Sequence, residues 1–141
     1  MTRIDFYILS DSQAQAREIY ACRLADKAYQ LGHHIHIHSE SEQQAQQLDE
    51  LLWSLRAGSF IPHALYQDDP QLPVTIGFDS EPLENTDILI NLSPEAPAFF
   101  SRFQRVAEIV NEDPLYKERA RERFRFYRDR GYELQHHQIK Q

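Results

Sequence analysis

Lys117, Arg121, Arg125 and Arg128 recur at spacings of four, four and three residues. On a helix turning ~100° per residue they fall within about 80° of one another, and Phe124 lies on the edge of that stripe. Guanidinium groups fork onto carboxylates or phosphates in pairs of parallel hydrogen bonds, and an aromatic ring beside them offers an apolar ledge. The pattern therefore reads as a receptor for an anion that carries an apolar group. A blander reading makes it a solvated helix whose Arg and Glu residues pair at i,i+4, worth only ~0.3–0.5 kcal/mol per pair.

The charge balance sets this stretch apart. The 141 residues include 15 basic and 22 acidic side chains, for a net charge of −7. Residues 117–130 hold seven basic against three acidic, or +4, which leaves −11 on the rest of the chain. An acidic body is a poor general binder of nucleic-acid phosphate, so weak or no binding of bare single-stranded DNA is expected. A basic patch on such a body suits one localised anionic partner.

The elements that must hold the stripe follow from pattern. Pro114 suits a first helical turn and Gly131 a position just past the last, so one helix is expected between them. Tyr116, Ala120 and Tyr127 share an arc of it that can pack. Ile4 to Leu9 is nearly all apolar, as in a central strand covered on both faces. Ser10, Asp11 and Ser12 offer N-cap oxygens to a helix from Gln13 to Leu31, whose buried arc comprises Ile19, Ala21, Cys22, Ala25, Ala28 and Tyr29. His33 to His38 alternates with isoleucine and reads as a strand. Ser39 or Ser41 caps a helix running to about Leu55, with Leu48, Leu51, Leu52 and Leu55 at helical spacing.

Gly58 to Asp69 reads as an exposed loop. Val74 to Phe78, Asp87 to Leu92 and Val106 to Val110 read as strands, with a short helix around Phe99 to Phe103 before the last. Tyr132 to Gln141 reads as a short, partly extended tail. Strands alternating with helices predict a single α/β domain over 1–141, with a mostly parallel sheet flanked by helices.

Several chemistries lack their signatures. The turn after the first strand is SDSQAQ, and neither GxGxxG nor GxxxxGK[ST] occurs, so no nucleotide-binding site is expected. There is no GxSxG elbow, and the single Cys22 has no evident activating neighbour. One cysteine permits no internal disulfide, which with the absence of a leader-like start predicts a cytoplasmic protein. No apolar run approaches the ~20 residues of a membrane span. His34, His36 and His38 would share one strand face, but no cysteine or acidic ligand accompanies them at metal-site spacing, so a structural role is expected. No metal or other cofactor is predicted.

Further segments carry a resemblance. Phe6-Tyr7 with Leu9, Leu48-Asp49-Glu50 leading to Leu52-Trp53, Ser59-Phe60-Ile61-Pro62-His63, Asp87-Ile88-Leu89-Ile90 and Ala120-Arg121-Glu122-Arg123-Phe124 occur in that order. Over essentially its full length the chain resembles the chi subunit of bacterial DNA polymerase III holoenzyme. The resemblance implies a Rossmann-like fold without a nucleotide, and a non-catalytic accessory protein of the clamp-loader assembly. It implies two partners: the psi subunit, and the acidic C-terminal tail of single-stranded-DNA-binding protein. Carried over by position, the tail site comprises Val110, Lys117, Arg121, Phe124 and Arg125, with His136 nearby, and the basic stripe adds Arg128. Phe124 stands where the family pattern has tyrosine, and Arg125 where it has lysine. Trp53 and Phe60 match the psi-binding surface, and Ile61 is expected to extend it as an exposed apolar patch. A small α/β enzyme or nucleotide-binding domain with an unrecognised site is the alternative.

Overall fold

In a computed structural model of the chain, residues 1–55 and 60–140 are described. Seven strands make one sheet: β1 (Arg3–Leu9), β2 (Ile35–Ser39), β3 (His63–Leu65), β4 (Val74–Phe78), β5 (Ile88–Asn91), β6 (Arg105–Val110) and β7 (Glu133–Ile139). Their spatial order is β3-β4-β2-β5-β6-β1-β7, and every pairing is parallel. Three helices connect them: α1 (Ala16–Gln30), α2 (Glu42–Ser54) and α3 (Pro114–Asp129), with one 3₁₀ turn at Phe100–Arg102.

Side-chain alternation along β1 divides the core in two. Leu9, with half-buried Tyr7, joins Ala21, Cys22, Ala25, Leu48 and Leu52 on the face covered by α1 and α2. Ile4 and Phe6 join Phe100, Phe103, Ala120 and Tyr127 on the face covered by α3 and the 3₁₀ turn. Covering both faces is what an all-parallel sheet requires, and it accounts for the nearly unbroken apolar run in β1.

The expected elements are present, with several differences. The first helix starts at Ala16 rather than Gln13, because the Asp11 carboxylate accepts from the Gln13 amide and closes a local turn, and Gln15 then takes a left-handed φ of 71°. A three-residue strand, β3, lies inside the segment expected to be loop, beside β4. Gly58 and Ser59, at the start of that segment, fall outside the described residues. Ile61 is only 4% exposed and belongs to the core, so it adds nothing to a surface patch. The tail is a full strand: β7 pairs with β1 from Arg3↔Glu133 to Leu9↔Ile139.

Ser41 is the cap of α2, accepting from the Gln44 amide at 3.0 Å. His34 precedes β2 and is exposed, so the three histidines do not share a strand face. His36 is fully buried, its Nδ1 2.8 Å from Thr75 Oγ1. Gly77 is what makes room for that ring, because a Cβ there would lie 2.7 Å from two of its atoms. Among the described residues no cluster of His, Cys, Asp or Glu could hold a metal ion, and no helix is long and apolar enough to cross a membrane. Burial pushes the Cys22 thiol up to about 12, consistent with packing rather than reactivity.

Candidate peptide-binding site

Asp113 caps α3, its Oδ1 accepting from the Leu115 amide at 2.9 Å, and Pro114 takes the first turn. Gly131 adopts φ 81°, where a side chain would be strained, and turns the chain into β7. The buried face of α3 holds Ala120, Arg123 and Tyr127. Tyr116, expected on that face, is half-buried and lies beneath the Arg17 guanidinium, 4.2 Å from its ring centre.

Arg123 fixes the rotation of the helix. Its Nε donates to Glu108 Oε1 at 2.8 Å and its Nη1 to the Pro94 carbonyl at 2.9 Å. Glu108, on β6 and 0% exposed, also accepts from the Tyr127 hydroxyl at 2.6 Å and from Asn91 Nδ2 at 3.0 Å. Burial, and then the Glu108 charge, push the Tyr127 phenol well above its ordinary range, so it stays a donor.

With α3 so oriented, its basic stripe borders a cavity of about 390 Å³ between the helix and the β1–β7 edge of the sheet. Phe6, Ile8, Val110, Ala120 and Phe124 give it apolar walls. Lys117, Arg121, Arg125, Arg128 and His136 complete the lining, which contains no acidic residue. The seven positions Val110, Lys117, Arg121, Phe124, Arg125, Arg128 and His136 thus surround one space. Phe6 and Ile8 also line it, although in the sequence the apolar run of β1 reads only as core. Phe6 packs edge-on against Phe124 (5.6 Å between ring centres) and stacks on His136 (6.1 Å).

The carboxylates near the stripe lie outside the cavity. Lys117 reaches Glu112 (2.7 Å), Arg121 reaches Glu118 (3.4 Å) and Arg128 reaches Asp129 (3.2 Å), and all six side chains are more than a third exposed. Exposed pairs of this kind are worth ~0–1 kcal/mol and are readily exchanged for a better anion. The site can therefore take a carboxylate at the stripe while burying an apolar group against Phe6 and Phe124.

At the other edge of the sheet Trp53 and Phe60 are 56% and 62% exposed, with ring centres 5.4 Å apart. Trp53 rests on His63 (4.7 Å), whose ring is held by the Ile61 and Asp49 carbonyls at 2.6 and 3.2 Å. A supported, exposed pair of large rings is an interaction surface in form.

Another cavity, of about 500 Å³, opens where the connections after β2 and β5 diverge to opposite faces, the usual ligand crevice of open α/β sheets. Here it is lined by His38, Ser93, Glu95 and Arg119 beside Pro94 and Pro97, without a glycine-rich turn.

Fold and surfaces together define a doubly wound parallel α/β domain with an apolar-walled cationic cavity beside an edge strand, away from that crevice. The profile of "DNA polymerase III chi subunit, HolC" matches residues 1–135. The chain is 46% identical over 139 residues to the DNA polymerase III subunit chi of Pseudomonas aeruginosa, covering 99% of this chain and 98% of that one. It is 36% identical to the subunit chi of Haemophilus influenzae (92% of each chain) and 33% identical to that of Escherichia coli (95% and 96%). The chain belongs to the DNA polymerase III chi subunit family.

Proposed function

We propose that the chain is a non-catalytic accessory subunit of the DNA polymerase III holoenzyme, in the clamp-loader assembly, that links the psi subunit to the acidic C-terminal tail of single-stranded-DNA-binding protein. One observation carries this reading: the cavity of about 390 Å³ in which four cations and no acid surround apolar walls. A flexible acidic peptide ending in an apolar residue and its own carboxylate fits that combination. Arg121 is placed for the carboxylate, mid-stripe between Lys117 and Arg125, and Phe124 with Phe6 walls the apolar residue. Phe124 lacks a phenolic hydroxyl, so the wall works by packing alone.

The psi subunit is assigned to Trp53 and Phe60. These residues sit on α2 and beside β3, at the opposite edge of the sheet from β7. Six strand spacings of ~4.8 Å separate the two edges by about 29 Å, so both partners fit at once. The chain itself binds bare single-stranded DNA weakly, because it is acidic and lacks a basic groove interleaved with several aromatics. It works in the cytoplasm and has no active site of its own.

Calorimetric titration with an acidic peptide ending in Pro-Phe, as free acid and as amide, tests the tail site. Arg121→Ala is expected to weaken the free acid by ~1.5–3 kcal/mol, and amidation to cost little more in that variant, because both remove one contact. Losses that simply add would show that Arg121 does not read the carboxylate. Trp53→Ala or Phe60→Ala is expected to cost ~2 kcal/mol or more in psi binding and nothing in tail binding. A folded variant that still copurifies with psi at full yield would place that interface elsewhere.

A further inference from the structure

A cavity of about 490 Å³ opens on the other face of β1, beside α1 and away from the stripe of α3. Its floor is the sheet itself, with Ile90 and Ala107, and its aromatic wall is Tyr7 against Tyr20, ring centres 5.7 Å apart. Leu24 and the exposed Leu31 continue the apolar surface along α1. Three cations stand around it: Arg23, Lys27 and Arg105.

The one acid directly in the lining, Asp5, is already answered. It is 1% exposed and lies 3.0 Å from Arg3, 3.4 Å from Arg105 and 2.9 Å from His137 Nε2. Burial raises its carboxyl, but the His137 and Arg3 hydrogen bonds and the charges of Arg3 and Arg105 outweigh that and hold it below the usual range. His33, also in the lining, is paired with Asp87 at 3.1 Å. Among the described residues Arg23 and Lys27 form no ion pair, although the chain has 22 acidic side chains to offer. They lie one helical turn apart, where like charges repel by ~0.2–0.5 kcal/mol.

The geometry points to a second peptide site here: an acidic segment of a partner protein, with an aromatic or aliphatic residue seated against Tyr7 and Tyr20 and its carboxylates on Arg23, Lys27 and Arg105. Two of the cations stand one helical turn apart on α1 and the third on β6, a placement that suits carboxylates spaced along a peptide better than one phosphate. No run of backbone amides or glycine-rich turn lines the space to cradle a phosphate, and two adjoining tyrosines do not make the repeated stacking platform of a single-strand nucleic-acid groove. No terminal carboxylate is needed, so this site differs in demand from the one on α3 and stands whether or not that one takes the tail.

The test is a nitrogen–proton NMR titration of the full chain with an acetylated, amidated peptide of sequence Asp-Glu-Phe-Glu-Asp. Saturable shifts are expected at Tyr20, Leu24 and Lys27. The double variant Arg23→Glu/Lys27→Glu, at exposed positions where the fold is tolerant, is expected to bind about tenfold or more weakly while still taking the free-acid tail peptide. No saturable shift at those residues, equal binding by the charge-reversed variant, shifts confined to residues 117–128, or an oligothymidylate that saturates Tyr20 and Lys27 as tightly as the peptide would each overturn the proposal.

Discussion

Arg121 and Arg123 are two positions apart on one helix and in opposite electrostatic settings. The Arg123 side chain is 6% exposed, on a carboxylate that is 0% exposed and held by two further donors. The Arg121 side chain is 66% exposed, and its one carboxylate, Glu118, is 57% exposed at 3.4 Å. The buried arginine joins α3 to β6 and to the segment after β5 and sets which face of the helix looks outward. The exposed arginines are thereby aimed without being consumed. One residue type is framework where its carboxylate is buried with it, and is left exchangeable where its carboxylate is solvent-screened.

The largest test of that contrast is Arg123→Met, which keeps the stem and deletes the charge. Glu108 would then be a buried charge without its cation, at a cost of ~3–5 kcal/mol. Adding Glu108→Gln is expected to recover most of it, since the amide still accepts from Tyr127 and needs no counter-charge. Urea unfolding of the single and double variants measures this. A loss under about 1 kcal/mol for Arg123→Met would mean that the pair does not hold the helix.

Next in size is a buried group that carries no charge at all. Burial, with a smaller contribution from His38, pushes the His36 imidazole down to about 3. In the unfolded chain it titrates near ~6.5. As pH falls below 6.5 the unfolded state takes up a proton that the native state refuses, so stability is lost with acidification across the window from 6.5 towards 3. Between pH 6.5 and 5 the slope of ~1.4 kcal/mol per unit amounts to about 2 kcal/mol. Asp5 acts in the same direction, but only below the ordinary carboxylate range, outside this interval. Burial also pushes the His38 imidazole down, so it acts in the same direction and in the same interval, and unfolding of wild type and His36→Leu at pH 7 and pH 5 separates the two histidines. An unchanged pH slope in the variant would show that His36 is not the group that resists protonation.

What was legible in the sequence follows the same division. The bounds of α3 were plain because Pro114 and Gly131 act through local backbone geometry, and the stripe because its period is that of the helix. Arg123 was not separable from its neighbours, since its partner Glu108 lies on a strand 15 residues earlier. β7 was hidden because ELQHHQI has little β-branched content and no clean alternation. What makes it a strand is pairing with β1 at the far end of the chain. Ile61 looked like surface beside Phe60, and only the close passage of this segment past α2 and β4 turns it inward. Of the residues around the α3 cavity, those on α3 group by angle, whereas Val110 and His136 come only from the resemblance and Phe6 and Ile8 require the fold.

The smallest effect concerns Arg121 in the free protein. Its neighbours one turn away on either side are Lys117 and Arg125, both like charges, each repelling by ~0.2–0.5 kcal/mol in an isolated helix. Against that stands one i,i+3 pair with Glu118, solvent-screened at both ends. Arg121→Gln keeps helix propensity while removing two repulsions and one attraction. The net expectation is a stability unchanged or raised by a few tenths of a kcal/mol at low salt, vanishing as salt screens the stripe. Thermal unfolding at two ionic strengths measures it. The same substitution two residues along, at Arg123, would unbalance the core, so the pair of measurements compares receptor with framework directly. A loss above ~1 kcal/mol at Arg121 would mean that this arginine is engaged in holding the fold, and the stripe could not then be read as a set of cations left free for a partner.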